Sequence, residues 1–146
     1  MSFEKLGLCE EILKSIKEKG YTKPTEIQES AIPQVLMGRD LLGCAQTGTG
    51  KTGSFIMPLV EILSSGKSKS RMPRSLILAP TRELAMQVSE EFNLINKHLK
   101  LQMALLIGGV SFVEQDNKLA KGVDVLVATP GRLLDHMERG KVILKD

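Results

Sequence analysis

The stretch Ala45-Gln46-Thr47-Gly48-Thr49-Gly50-Lys51-Thr52 stands between an apolar run, Asp40–Ala45, and a helical pattern, Lys51–Leu63. Its glycines let the backbone curl so that successive N–H groups point into one hollow of anion size. The N-terminus of the following helix adds the positive end of its dipole. This order of strand, glycine-rich loop and helix predicts a phosphate-binding loop.

The last two residues of this loop are candidate catalytic residues. Lys51 supplies a positive charge to the β- and γ-phosphates of a bound nucleotide, and the Thr52 hydroxyl can ligate Mg²⁺. The strict form of the motif has glycine where Ala45 stands, so this is a variant loop.

Three further apolar runs, Ser75–Ala79, Met103–Ile107 and Val123–Ala128, follow along the chain. They alternate with helical patterns at Thr81–Leu99 and Pro130–Glu138. Nearly continuous apolar runs are typical of strands that are buried on both faces of a parallel sheet. The longer helix has one apolar stripe, formed by Leu84, Val88, Phe92, Ile95 and Leu99. The alternation predicts an α/β fold with a mainly parallel sheet flanked by helices.

A helical lead-in precedes the first run. One helix is predicted over Cys9–Lys19 and ends at Gly20, and a second begins near Thr25. Thr25 and Gln28 have the spacing of a capping box, in which each residue bonds the backbone N–H of the other. The polar stretch Ser64–Arg74 is predicted to be a solvated connector.

Two helix starts carry an arginine in their first turn, within Leu78–Leu84 and Val127–Leu133. An arginine there opposes the helix dipole, which makes sense if an anion is held by the guanidinium and the free N–H groups together. The glycine pair Gly108-Gly109 would let backbone approach the same ligand. The alternative is two ordinary capped helices with surface arginines.

Composition limits the classes of function. The net charge of +3 is compatible with nucleic-acid binding but does not argue for it, and an aromatic content of 3% argues against a broad base-stacking platform. Cys9 and Cys44 lack metal-ligand spacing, and His98 and His136 are predicted to be solvated residues on polar helix faces. No apolar run is long enough to span a membrane, so we predict a cytoplasmic protein.

The variant loop resembles motif I of the DEAD-box family of superfamily 2 helicases. Upstream, Gly20–Gln28 is similar to the Q motif of that family, and Phe3 to the isolated aromatic before it. The resemblance implies ATP as cofactor with Mg²⁺, and adenine recognition by Gln28 with Phe3 packed on the base. It also places Tyr21 and Lys23 in the nucleotide-binding stretch. The capping role of Gln28 stays open beside this one, since one side chain can serve both in different states.

The arginine-bearing segments resemble three further motifs of the family. These are motif Ia at Pro80-Thr81-Arg82, the GG element at Gly108-Gly109, and motif Ib at Thr129-Pro130-Gly131-Arg132. The resemblance implies that they hold the backbone of single-stranded RNA without base specificity. The sequences of two segments, Phe3–Leu8 and Gly38–Leu41, are similar to those of bacterial RhlE-like members of the family.

None of the predicted strands ends in a carboxylate that could hold Mg²⁺ or orient water. The resemblance implies an incomplete first RecA-like P-loop domain, truncated before the DEAD strand, with residues 1–38 as its lead-in and 39–146 as the ATP-binding part. The parent is then expected to be an ATP-dependent RNA helicase with a second RecA-like domain, and this piece alone to be inactive, with an unpaired gap in its sheet. The alternatives are a stand-alone non-catalytic nucleotide- or RNA-binding module, or another P-loop enzyme.

Overall fold

The computed structural model describes residues 2–39, 50–65 and 73–142. The predicted strand Asp40–Ala45, loop residues 45–49 and most of the connector lie outside these ranges. A 3₁₀ helix, Phe3–Leu6, precedes helices and strands that we number in chain order. They are α1 Glu10–Glu18, α2 Glu26–Leu36, α3 Lys51–Ser65, β1 Ser75–Leu78, α4 Arg82–Ile95, β2 Met103–Leu106, α5 Phe112–Ala120, β3 Val125–Ala128 and α6 Pro130–Glu138.

The described strands form one parallel sheet in the order β1-β3-β2. All four residues of β3, the central strand, are buried, as their apolar run predicts. The prediction of burial on both faces is wrong for β1, whose Leu78 is 54% exposed. The reason is that no described element covers the Leu78 side chain at the end of β1. The predicted α/β class with a parallel sheet is confirmed.

The chain divides into two units. The first comprises Met1–Gly66 and Glu91–Lys100, and the second comprises Lys67–Glu90 and Leu101–Asp146. In the first, α2 packs against α3, and Ile12, Ile32 and Ile56 are fully buried. In the second, an apolar cluster lies on and around the sheet; its buried members are Ala104, Leu106, Leu119, Val123, Leu126, Ala128, Leu133 and Val142.

Helix boundaries follow the local signals closely in most places. Cys9 is the N-cap of α1, and Gly20 after its end has φ +93°, the left-handed conformation that glycine adopts without steric cost. The α6 bounds are those predicted from Thr129 and Pro130. Helix α3 continues to Ser65, so the predicted connector begins two residues later than expected.

Two helices differ from the prediction. Helix α4 ends at Ile95 rather than Leu99, and its buried face begins at Ala85, since Leu84 is 38% exposed. The predicted stripe is therefore wrong at Leu84. Helix α5 is absent from the prediction, because its buried positions include the polar residue Gln115 and so do not read as an apolar stripe.

Candidate functional site

Gln28 makes the predicted capping box. Its backbone N–H donates to Thr25 Oγ1 at 3.4 Å, and its Oε1 accepts from the Thr25 backbone N–H at 3.0 Å. The two bonds satisfy two donors that the start of a helix leaves without a partner. The structural reading of this residue pair is therefore confirmed.

The same side chain makes a third bond, to the end of the glycine-rich loop. Gln28 Nε2 donates to the carbonyl oxygen of Gly50 at 3.2 Å, and the Gln28 residue is only 5% exposed. Gly50 has φ +82°, and a Cβ on it would clash with Gln28 Nε2. Glycine is thus required at position 50 for both its conformation and its close approach to Gln28.

Helix α3 begins directly after this contact. Lys51 is exposed and Thr52 is partly exposed in its first turn, and the Ser54 N–H bonds the Gly50 carbonyl oxygen at 3.1 Å. The two predicted catalytic residues therefore lie at the positive end of a helix of 15 residues. Predicted site residues 45–49 lie outside the described ranges.

Phe3 and Tyr21 line one hollow of about 440 Å³ in the first unit. The Phe3 residue is 5% exposed and Tyr21 is 36% exposed. Lys23, which follows Tyr21 by two residues, is also exposed. Burial, and then the negative charge of Glu91, raise the pKa of the Tyr21 phenol. The structure thus brings the two aromatic residues of the predicted nucleotide-binding set together.

In the second unit the three strands end in register. Leu78 and Leu106 both lie opposite Ala128, the last residue of β3. Two further bonds extend this edge, from Ala79 N–H to the Ala128 oxygen at 2.9 Å and from Thr129 N–H to the Leu106 oxygen at 3.1 Å. The segments that follow the strands therefore leave the sheet side by side. These segments contain all nine predicted RNA-binding residues: Pro80, Thr81, Arg82, Gly108, Gly109, Thr129, Pro130, Gly131 and Arg132.

Arg82 lies against the glycine pair. Gly109 has φ +81°, and a Cβ built there would clash with Arg82 Nη1 and lie 3.2 Å from Arg82 Cζ. Thr81 directly precedes α4 and caps it, since its hydroxyl accepts from the Leu84 N–H at 3.2 Å. The Arg82 guanidinium therefore packs on the Gly109 backbone, in space that the side chain of any other residue at position 109 would need.

Arg132 reaches the same loop from α6. Its Nη1 donates to the Val110 carbonyl oxygen at 3.1 Å and to Gln115 Oε1 at 3.3 Å. Its Cζ lies 4.0 Å from the centre of the Phe112 ring, a cation–π contact. The Arg132 side chain is 14% exposed, so most of it is packed within the protein.

His136 corrects the prediction that both histidines are solvated. Its ring is fully buried, with Nε2 2.6 Å from Gln115 Oε1 and the ring centre 5.2 Å from that of Phe112. Burial lowers the pKa of its imidazole; Asp116 opposes this effect, and the charges of Arg139 and Arg132 reinforce it. The signal was present in the sequence, since His136 follows the buried Leu133 by three positions on α6.

His98 is also less solvated than predicted. Its Nε2 lies 3.1 Å from Glu18 Oε1, and its side chain is 25% exposed. Lys97 joins the same carboxylate at 2.8 Å. The contact with Glu18 accounts for the partial burial of His98.

Across residues 2–39, 50–65 and 73–142, no helix is both long and apolar enough to cross a membrane. Within the same ranges, no group of three or more histidine, cysteine or acidic residues is arranged to hold a metal ion.

Curated proteins similar to this chain are RNA helicases by name. "DEAD-box ATP-dependent RNA helicase RhpA" of Helicobacter pylori is 45% identical over 141 residues, which are 97% of this chain and 28% of RhpA. "ATP-dependent RNA helicase SrmB" of Escherichia coli K12 is 45% identical over 138 residues, 94% of this chain and 31% of SrmB. The chain thus spans less than a third of either relative.

Solved structures agree with this similarity. A DEAD box protein from Methanococcus jannaschii superposes with a TM-score of 0.88 at 39% identity, over 99% of this chain and 39% of that protein. The RNA helicase Prp28 from Chaetomium thermophilum, bound to ADP, gives 0.89 at 42% identity, over 97% of this chain and 35% of Prp28. The RecA-like fold that the resemblance implied is therefore confirmed. The profile of the DEAD/DEAH box helicases matches residues 25–146, and the chain belongs to that family.

Proposed function

We propose that the protein carrying this chain is an ATP-dependent RNA helicase, and that this chain supplies nucleotide- and RNA-binding loops of its first RecA-like domain. Membership of the family supports the ATP-driven activity. The observation that carries the RNA part is the sheet edge where β1, β2 and β3 end in register, with Arg82 lying on Gly109. A guanidinium and accessible glycine backbone suit the sugar-phosphate chain of RNA, without base specificity.

The nucleotide part rests on the start of α3. Lys51 can contact the phosphates from the exposed first turn, and the Thr52 hydroxyl is the kind of oxygen ligand that Mg²⁺ takes. When bound, Mg²⁺ neutralises charge on the phosphates. Around the base we assign Gln28, Phe3, Tyr21 and Lys23, together with backbone of residues 45–50 at the phosphates.

Gln28 has capacity for adenine beyond its structural role. A primary amide carries two N–H donors and two carbonyl lone pairs, and the bonds to Thr25 and Gly50 use one of each. The remaining donor and acceptor match the N6 and N7 groups of adenine. Capping and base recognition can therefore coexist in one state.

Hydrolysis needs groups that these strand ends do not supply. The segments after β1, β2 and β3 begin Ala79-Pro80, Ile107-Gly108 and Thr129-Pro130, without a carboxylate. We infer that this chain binds nucleotide and RNA backbone, and that turnover requires a DEAD strand and a second RecA-like domain. The location we propose is the cytoplasm.

The test compares this chain with the naturally expressed protein, with and without Lys51→Ala. ATP hydrolysis is measured with single-stranded RNA, with DNA of the same sequence and with neither. We expect hydrolysis stimulated by RNA in the natural protein, abolished by Lys51→Ala, and no turnover by this chain. Nucleotide binding without RNA-stimulated hydrolysis in the natural protein would favour a non-catalytic module, and equal stimulation by DNA would contradict the RNA assignment.

A further inference from the structure

The geometry points to Gln115 as a positioning residue that, with His136, clamps both flanks of the Gly108-Gly109 pair and fixes Arg132 for contact with RNA. The RNA contact itself rests on the proposed function. Gln115 was not among the residues that the sequence singled out. It lies in α5, one turn after the loop that it would hold.

The side-chain amide of Gln115 has a defined orientation. It is 4% exposed, and its Nε2 donates to the carbonyl oxygen of Ile107 at 3.0 Å. A carbonyl oxygen only accepts, so the nitrogen must face Ile107 and Oε1 must face the other way. There Oε1 accepts from Arg132 Nη1 at 3.3 Å.

These bonds close around the glycine pair. Ile107 immediately precedes Gly108 and is tied to Gln115 directly. Val110 immediately follows Gly109 and is tied to Gln115 through Arg132, whose Nη1 bonds both. One buried amide thus fixes both ends of a loop that its glycines would otherwise leave conformationally free.

His136 completes the arrangement. Since Gln115 Oε1 is an acceptor, His136 Nε2 must carry the hydrogen of their 2.6 Å bond. Burial lowers the pKa of His136 and Asp116 opposes that shift, but Nε2 carries this hydrogen whether the ring is neutral or charged. His136 Nδ1 is buried without a hydrogen-bond partner, 3.4 Å from Asp116 Oδ1. The bond from His136 therefore fixes the Gln115 amide, and the same amide oxygen fixes Arg132.

A positioning role differs from simple support of the core. Arg132 stands in the first turn of α6, where the helix dipole disfavours a cation. The Gln115 and Val110 oxygens and the Phe112 ring counter that effect and direct the guanidinium along the loop. Without Gln115 Oε1, we expect the Arg132 guanidinium to stay near Val110, Phe112 and Asp135 but to lose its fixed orientation, while the fold persists.

The test uses the naturally expressed protein and two substitutions of similar size. Gln115→Met removes all three bonds of the amide, to Ile107, Arg132 and His136, and nearly preserves side-chain length. Gln102→Met makes the same change at an exposed residue just before β2, at the opposite end of the strand from the loop. Affinity for a single-stranded RNA oligonucleotide is measured over a range of salt concentrations.

For Gln115→Met we expect affinity for RNA to fall about tenfold, because Arg132 no longer reaches its phosphate. The salt slope, which is the change of log affinity with log salt concentration, should decrease by about one, the value for one lost phosphate contact. Gln102→Met should match the wild type in both. Arg132→Ala should weaken binding much less in the Gln115→Met background than alone, since the two changes remove one contact. A wild-type salt slope in Gln115→Met, or additive losses with Arg132→Ala, would overturn the positioning role.

Two further measurements separate a failure of the positioning role from misfolding of the variant and from a failure of the proposed function. If Gln115→Met does not fold, Gln115→Asn shortens the side chain by one methylene and draws the amide away from both flanks; the same loss of affinity and slope is expected. If the wild-type protein binds no RNA, the proposed function fails instead. The positioning role is then judged by the nuclear magnetic resonance signal of the Arg132 guanidinium, which should be ordered in wild type and averaged in Gln115→Met; averaged signals in both would overturn it.

Discussion

Gln28 Nε2 donates a hydrogen bond to the carbonyl oxygen of Gly50 across 22 positions of sequence, at 3.2 Å. The same amide closes the capping box with Thr25. The start of α2 and the end of the glycine-rich loop are therefore held by one side chain. A substitution of Gln28 should therefore lower the stability of the fold in the absence of any ligand.

Gln28→Ala should lower the free energy of unfolding by about 2–3 kcal/mol, because it removes two hydrogen bonds and leaves the Thr25 N–H and Gly50 oxygen without them. Urea denaturation followed by circular dichroism measures this. Gln34→Ala in the same helix removes only a surface bond from Arg39 and should change stability by less than about 0.5 kcal/mol. Equal effects of the two substitutions would contradict the structural role of Gln28.

Gly109→Ala should be more disruptive than Gly108→Ala. Position 109 has a positive φ and faces the Arg82 guanidinium, whereas a Cβ at position 108 meets nothing within 4 Å. We expect a loss of about 1–3 kcal/mol at position 109 and less than about 0.5 kcal/mol at position 108, measured as thermal unfolding. A loss at position 109 as small as the loss expected at position 108 would mean that the loop tolerates a side chain where Arg82 lies.

The buried His136 should make stability depend on pH. Burial lowers its pKa in the folded state, so the unfolded chain binds a proton more readily as pH falls below about 6.5. The unfolding free energy is then full above that pH and decreases as pH falls towards the folded-state pKa. The charged groups around the ring are Asp116 from α5, Arg132 and Asp135 from α6, and Arg139 directly after α6.

Urea titrations at a series of pH values between about 7.5 and 5 test this. His136→Gln should flatten the dependence that the wild type shows. A wild-type slope that survives His136→Gln would assign the dependence to other groups.

Cys9 should be a poorly reactive thiol. Burial raises its pKa to about 11 from 9.0, with smaller contributions from Glu61 and Glu11, while a backbone bond to Ile12 lowers it. Two pKa units reduce the thiolate fraction at neutral pH by about a hundredfold. In a Cys44→Ser background, labelling by iodoacetamide should be far slower in buffer than in urea; comparable rates would show that Cys9 is accessible and activated.

The sequence located helix ends and strands where local chemistry decides them. Thr129-Pro130 gave the start of α6 and the Thr25–Gln28 spacing gave the capping box, because both are short-range patterns. The glycine pair and the two arginines were identified as one group, and the structure places Arg82 and Arg132 at that loop.

What the sequence left hidden depends on tertiary contacts. Gln115 and His136 are buried because each satisfies the other, and a polar residue in a helix pattern looks solvated until its partner is known. Leu84 shows the reverse case, an apolar residue at helical spacing whose helix face turns away from the core. Leu84 and Gln115 cannot be recognised from one segment alone, and the only local signal for His136 is its spacing from Leu133.

The common level at which β1, β2 and β3 stop sets a scale for the loops beyond them. Neighbouring strands lie about 4.8 Å apart, so the three chain exits fall within about 10 Å of one another. One residue inserted into β3 would push its exit about 3.3 Å past the others and turn its side chains to opposite faces. The equal lengths of these four-residue strands thus fix the positions of the three loops that follow them. Insertions or deletions in the strands should be tolerated far less than those of the same size in the loops that precede the strands.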